Sequence, residues 1–257
     1  PVSGTRLGDC KGNSGITFPA PKTVYWVGIS ANWSSGNTGW ATQPPGVGTP
    51  SVNNFPLAQD TAIFTTAPAS GGTMTIDAAY NIGTIDMSAR TSNTMTLATG
   101  TQTPTIYGNW INGTGTTLTG TGVMTFAGRG SQTITSAGRT FTQPVTINTP
   151  GGSVTLQDAL SSTNSGTGSL NIVAGTFDAN SYNVTTNGTV VSNVTTVRTI
   201  AIGSGTWTIA GIPTSWNAAT STNLTVTGTG TISLTNAGAK TFAGGGIQTY
   251  PALNQGG

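Results

Sequence analysis

The chain has 257 residues and a mass of 25.7 kDa, and only 5 % of its residues are charged, against roughly 25 % in an ordinary soluble domain. It has no His, and its six acids are all Asp, so His-based triads, His metal sites and Glu general acids are excluded. Eight Lys and Arg leave a net charge of +2, and these cations are scattered singly, which leaves nucleic-acid binding by phosphate neutralisation little to work with.

The abundant residues favour strands and turns. Gly 38 and a Thr content of about a fifth go with a scarcity of Glu, Lys, Leu and Gln, the good helix formers. At 35 % hydrophobic the core must be thin, and the expected class is all-β. Disorder is disfavoured, because the net charge is small and 6 Trp, 5 Tyr and 7 Phe are spread along the chain. The single Cys10 forms no internal disulfide framework. No apolar run reaches the roughly 18 residues of a membrane span, and no signal peptide is visible. Starting at Pro1 without Met, the chain reads as a processed product or a part of something longer.

In chain order, residues 1–70 form a Trp- and Pro-rich first segment and residues 71–257 a repetitive Gly/Thr-rich body. The first holds Trp26, Trp33 and Trp40 with Pro19, Pro21, Pro44, Pro45, Pro50 and Pro56, a proline density that interrupts sheet. An extended arm is expected to about Pro21, which has no periodicity and needs another chain to order it. A strand is expected over 23–27, then an irregular Trp-pinned stretch, then a strand over 61–65.

From about Gly72 short runs alternate apolar and small polar residues, for example Thr73-Met-Thr-Ile-Asp77, Thr94-Met-Thr-Leu97, Pro144-Val-Thr-Ile147, Thr206-Trp-Thr-Ile209 and Gly230-Thr-Ile-Ser-Leu234. This is the period of a strand with one buried face, and Gly, Asn and Ser turns separate the runs at roughly 8–12 residues. Two echoes point to repetition. Thr119-Gly-Thr-Gly-Val-Met-Thr-Phe126 matches Thr227-Gly-Thr-Gly-Thr-Ile-Ser-Leu234, and Ala137-Gly-Arg-Thr-Phe-Thr142 matches Gly238-Ala-Lys-Thr-Phe-Ala243, a weak long repeat built on a shorter rung. The predicted architecture is a β-solenoid, parallel β-helix-like, or a fibre body with an irregular N-terminal arm; β-sandwich repeats are the alternative. A coil of about 20–25 residues per rung stacks at about 4.8 Å and needs only a thin apolar core. Outward Thr ladders would keep strand propensity while staying polar.

Tyr25-Trp-Val-Gly28, Ala31-Asn-Trp-Ser34 and Gly39-Trp40 resemble the opening segment that precedes Gly/Thr-rich β-solenoid repeats in bacterial surface proteins of the autotransporter-passenger kind. Phe126-Ala-Gly-Arg-Gly-Ser-Gln-Thr-Ile134, Gly138-Arg-Thr-Phe141, Leu156-Gln-Asp-Ala-Leu160 and Thr241-Phe-Ala-Gly-Gly-Gly-Ile-Gln-Thr-Tyr250 resemble repeats of virion proteins of tailed phages, notably those of marine bacteria and cyanobacteria. The resemblance spans roughly Tyr25 to Tyr250 and carries no catalytic signature. It implies a structural or adhesive virion part: a fibre, a tail-associated protein or a capsid decoration.

Candidate chemistry is thin. A polysaccharide-cleaving site needs two converging carboxylates. Asp77 and Asp86 are the best pair, since both end a Thr-Ile-Asp tripeptide, and equal strand-end positions would place them on neighbouring edges. The competing reading, which also covers Asp158 and Asp178, is that Asp ends strands by bonding its own backbone, and no Glu, His or basic cluster supports catalysis. No stretch offers the converging oxygens of a calcium site. Gly244-Gly-Gly246 has no following Lys-Ser or Lys-Thr of a phosphate loop. Trp26, Trp33 and Trp40 form either a sugar-stacking platform or, as preferred here, a cap over the open end of a thin core. Trp110, Trp207 and Trp216 read as single core or surface anchors.

The expectation is therefore a non-enzymatic virion component without cofactor or metal. It would dock to other virion proteins through the N-terminal arm, associate with its own copies and possess no nucleic-acid or membrane-spanning function. Two other readings stand beside it: a secreted or cell-surface adhesin that binds host glycan through aromatics, and a depolymerase tailspike.

Overall fold

A strand that alternates apolar and polar residues can bury one face only if neighbours on both edges keep the same register. Here each strand finds those neighbours one coil away in the same chain. The computed structural model describes residues 7–67, 71–246 and 249–256, wound into a β-solenoid of about 8 turns. Ala62 pairs with Ile85 and Ile85 with Trp110, steps of 23 and 25 residues. Trp110 pairs with Ile134 and Ile134 with Leu156, steps of 24 and 22. At the strand spacing of about 4.8 Å, about 8 turns make a rod on the order of 40 Å long.

The strands lie on three faces, and the turns after the first contribute to each of them. The first face begins with Thr23–Trp26, Thr61–Ile63 and Thr84–Asp86 and ends with Arg198–Gly203 and Leu224–Gly228. The second begins with Ala31–Asn32, Gly72–Thr75, Met95–Gly100 and Thr116–Gly120, and Thr140–Phe141 follows on its far side. It ends with Thr206–Ile209, Thr231–Leu234 and Ala252–Asn254. The third runs from Asn81–Ile82 and Thr105–Ile106 to Thr214–Asn217 and Thr241–Ala243. The long strands Val145–Leu156 and Leu170–Asp178 bend through register shifts, so their first halves lie on the third face and their second halves on the first. The first-face ladder includes Thr23–Trp26 and Thr61–Ile63 and continues into the body without a break in pairing.

Alternation places Met74, Leu97 and Leu118 in one inward column and Thr73, Thr96 and Thr117 in the outward column beside it. Thr105, Thr125 and Thr146 form a second hydroxyl column on the third face. Trp110, Trp207 and Trp216 belong to aromatic clusters, because the coil brings side chains of different faces and of successive turns together in one core. Phe177, Trp207, Trp216 and Phe242 follow one another with ring centroids 5.7, 5.9 and 5.7 Å apart.

The echoed segments correspond to corners rather than to whole rungs. Thr119–Phe126 turns from the second face to the third, whereas Thr227–Leu234 turns from the first to the second. Both corners hinge on a glycine with similar backbone, Gly120 at φ 128° and Gly228 at φ 124°. A Cβ there would meet Thr99 Oγ1 at 2.2 Å and the Gly203 nitrogen at 2.6 Å. The second echo behaves the same way, feeding Thr140–Phe141 on the second face and Thr241–Ala243 on the third. The long repeat is one corner design used at different faces.

Corners carry the polar groups that strands cannot satisfy, and buried side chains bridge successive turns there. Gln132 accepts from the Gly128 N–H at 2.7 Å and donates to the Gly108 carbonyl at 2.6 Å and the Ile106 carbonyl at 3.1 Å. Gln143 donates to Thr99 Oγ1 at 3.1 Å and to the Thr119 carbonyl at 2.9 Å. Thr186 donates to Ser169 Oγ at 2.6 Å, and Ser162 lies 3.1 Å from the same oxygen.

Candidate functional site

The N-terminal end is the most elaborated part of the molecule. Trp40–Ala41 runs antiparallel to Thr23–Trp26 and closes the outer edge of the first face. The helical turn Gly36–Gly39 lies beside Ala31–Asn32. Beneath them Trp40 packs edge-on to Trp33 at 4.8 Å, to Trp26 at 5.2 Å and to Phe64 at 5.6 Å. Its Nε1 donates to the Trp33 carbonyl at 2.8 Å. Trp33 and Trp40 are 0 % exposed and Trp26 is 2 % exposed. A sugar-stacking platform needs an open ring face, and none of the three presents one, so the platform expected as an alternative does not exist in this conformation.

The carboxylates are equally committed. Asp9, Asp86 and Asp178 each accept from the backbone N–H two residues on, at Lys11, Ser88 and Asn180, the local turn that Asp forms with its own chain. Asp60 accepts from the Lys22 and Leu57 N–H groups, both at 2.8 Å. Asp158 reaches the preceding turn and accepts from Ser136 and Ala137, both at 2.6 Å. Asp77 accepts from the Ser34 N–H at 3.1 Å and hydroxyl at 2.6 Å. Burial alone would raise the Asp77 carboxyl, but the bonds from Ser34 and Tyr80 outweigh it and hold it below its ordinary value.

The pair of Asp77 and Asp86 that a cleavage site would need, weighed against the strand-ending reading, is not formed. Asp77 follows Gly72–Thr75 on the second face and Asp86 ends Thr84–Asp86 on the first. Identical tripeptides sit at different corners because nine residues are well short of a turn. Among the described residues no group of three or more His, Cys, Asp or Glu comes together as a metal site, and no helix is long and apolar enough to cross a membrane. A cavity of about 500 Å³ lies where the third face turns into the first, between Pro150, Gly151, Ala174, Val197 and Thr199. Its lining contains no carboxylate and no aromatic ring.

The described part of the arm is also ordered by its own chain, which corrects the expectation that another chain is needed; Pro1–Arg6 lie outside the described residues. Gln59 accepts from the Asp9 N–H at 2.9 Å and donates to the Leu7 carbonyl at 3.0 Å. Further along, Cys10 lies beside the Tyr107 side chain, and a Cβ on Gly12 would come within 2.5 Å of Arg129 Nε. The arm thus lies across several turns.

Burial, reinforced by the adjacent Cys10, pushes Tyr107 up to about 12, and burial also raises Tyr80 and Tyr250. A phenol whose folded pKa exceeds its unfolded value near 10 contributes stability that is complete below about pH 10 and lost as pH rises through about 12. The thermal midpoint is therefore expected to fall from about pH 10 upward. Tyr107→Phe should flatten part of that fall in the same titration, and an unchanged alkaline slope would contradict the assignment.

Comparisons with family models, with curated proteins and with solved structures gave no match.

Proposed function

We propose that this chain is a non-enzymatic structural part of a phage virion: a fibre, tail-associated or capsid-decorating protein whose body is a rigid spacer. One observation carries the non-enzymatic reading. All six Asp accept backbone N–H groups at turns and inter-turn contacts, so the groups that would do acid–base chemistry serve to hold the coil. The virion assignment rests on the resemblance of the repeats, and the solenoid is compatible with it. An adhesin would need a glycan surface other than Trp26, Trp33 and Trp40, whose rings are buried.

Quantitative mass spectrometry of purified particles tests the reading. The chain is expected at a fixed ratio to the major capsid protein, near equality for a decoration and far lower for a fibre. Its absence from particles, or selective binding on a glycan array together with a cell-surface location, would overturn it.

A further inference from the structure

The ladder of the second face is broken once, midway along the rod. Ala31–Asn32 to Thr116–Gly120 form one parallel sheet and Thr140–Phe141 to Ala252–Asn254 another. Among the described residues no backbone hydrogen bond joins Thr116–Gly120 to Thr140–Phe141. Side chains of the next corner hold the two edges instead: Thr142 Oγ1 donates to the Gly120 carbonyl at 3.0 Å and Gln143 Nε2 to the Thr119 carbonyl at 2.9 Å. The break leaves a cleft of about 320 Å³ between Thr116, Thr117, Leu118, Arg139, Thr140 and Thr142, and no carboxylate lines it.

Arg139 supplies the charge of this cleft. It is half-buried, and its Nε is buried with no hydrogen-bond partner among the described residues. Asp158, the carboxylate that reaches this corner, is held by the Ser136 and Ala137 N–H groups. Arg198 shows the contrast, since it spends all three of its nitrogens on acceptors of the chain. Thr116 and Thr142 donate to the Gly113 and Gly120 carbonyls. Thr117 and Thr140 alternate with the inward Leu118 and Phe141, so their hydroxyls face outward at the cleft.

A guanidinium fork with donors to spare suits a planar carboxylate, which takes two parallel N–H bonds from it. Hydroxyls both donate and accept, so Thr117 and Thr140 suit hydroxyl groups carried beside that carboxylate. The volume lies at the small end of ligand sites and has room for one sugar ring rather than a longer chain. We propose that the cleft binds one acidic sugar unit, a hexuronate, with its carboxylate on Arg139 and its hydroxyls on Thr117 and Thr140. No aromatic ring lines the cleft to stack on the sugar, so the affinity is low, with a Kd of about 1 mM. The chemistry is independent of the virion reading: the cleft is expected to bind whether or not the chain is found in particles.

Titrating the isotopically labelled full chain with sodium D-glucuronate at constant ionic strength should give saturable amide shifts at residues 116–118 and 138–140. D-glucose lacks the carboxylate and sodium acetate lacks the ring, so each should bind at least about tenfold more weakly. Arg139→Gln should lower the glucuronate affinity at least about tenfold with an unchanged thermal midpoint, and Arg139→Lys, which keeps the charge without the fork, should lose part of it. Arg129→Gln removes an exposed cation outside the cleft and should bind like the parent. If Arg139→Gln misfolds, Thr117→Val combined with Thr140→Val decides: it keeps strand propensity and should weaken glucuronate severalfold while leaving acetate unchanged. Shifts that stay unsaturated to about 50 mM overturn the proposal. So does glucose or acetate bound as tightly as glucuronate, or a folded Arg139→Gln that binds like the parent.

Discussion

Arg198→Ala is expected to destabilise the C-terminal half of the solenoid by about 3–5 kcal/mol. Arg198 is 1 % exposed, and burial lowers its pKa. Its five N–H donors all meet neutral acceptors. Nε donates to Ser192 Oγ at 2.7 Å, Nη1 to the Thr196 and Thr222 carbonyls at 2.9 and 2.8 Å, and Nη2 to the Ser192 carbonyl at 2.8 Å and to the Thr220 carbonyl. The guanidinium thus ties the corner after Val190–Val191 to the same corner one turn further on. Truncation strands several buried carbonyls at once, each costing about 1–3 kcal/mol if no water replaces the donor. Arg198→Lys keeps the charge but offers three donors from a single point, so most of the loss should remain. Hydrogen exchange along Arg198–Gly203 and Leu224–Gly228 would localise it. If Arg198→Met unfolded within about 1 kcal/mol of the parent, the carbonyls would not need the guanidinium and the argument would fail.

Arg198 also marks where sequence reading stops. A single Arg in Thr-Val-Arg-Thr looks like one more scattered surface cation, because its five acceptors come from residues 192–196 and 220–222, which only the turn length brings together. The strand alternation was legible for the opposite reason: Thr73, Met74 and Thr75 declare their facing within three residues. Turn length was legible too, since corner glycines and alternating runs recur at short range. Asp77 and Asp86 stand out as the best carboxylate pair, although the strand-ending reading is preferred, because identical tripeptides show equal strand ends but not which of three faces each strand occupies. Trp207 and Trp216 looked solitary because Phe177 and Phe242, on which they pack, are each more than twenty residues distant, and because the nine-residue separation of the two Trp does not show that their faces meet in the core.

The second large effect is expected from Trp40→Ala, which should cost about 3–5 kcal/mol, the range for deleting a buried large aromatic. The substitution removes the ring that touches Trp26, Trp33 and Phe64 together, and the hydrogen bond to the Trp33 carbonyl. The surroundings cannot collapse to fill the space, since the chain passes Trp26 so closely that a Cβ on Gly39 would lie 2.4 Å from its ring. Trp33→Phe is the milder comparison: the Trp33 Nε1 has no hydrogen-bond partner among the described residues, so only volume is lost. In a solenoid each turn is stabilised by its neighbours, and the loss at Trp40 should be local. Amides of Thr23–Trp26 and Thr61–Ile63 should lose exchange protection while those of Thr206–Ile209 keep theirs. The same experiment separates closure of the rod from ligand binding. A Trp40 that served a ligand would, when truncated, leave protection at this end intact and abolish binding instead; one that closes the column exposes Val24 and Phe64, now 0 % exposed, to solvent and unwinds the coil from that end.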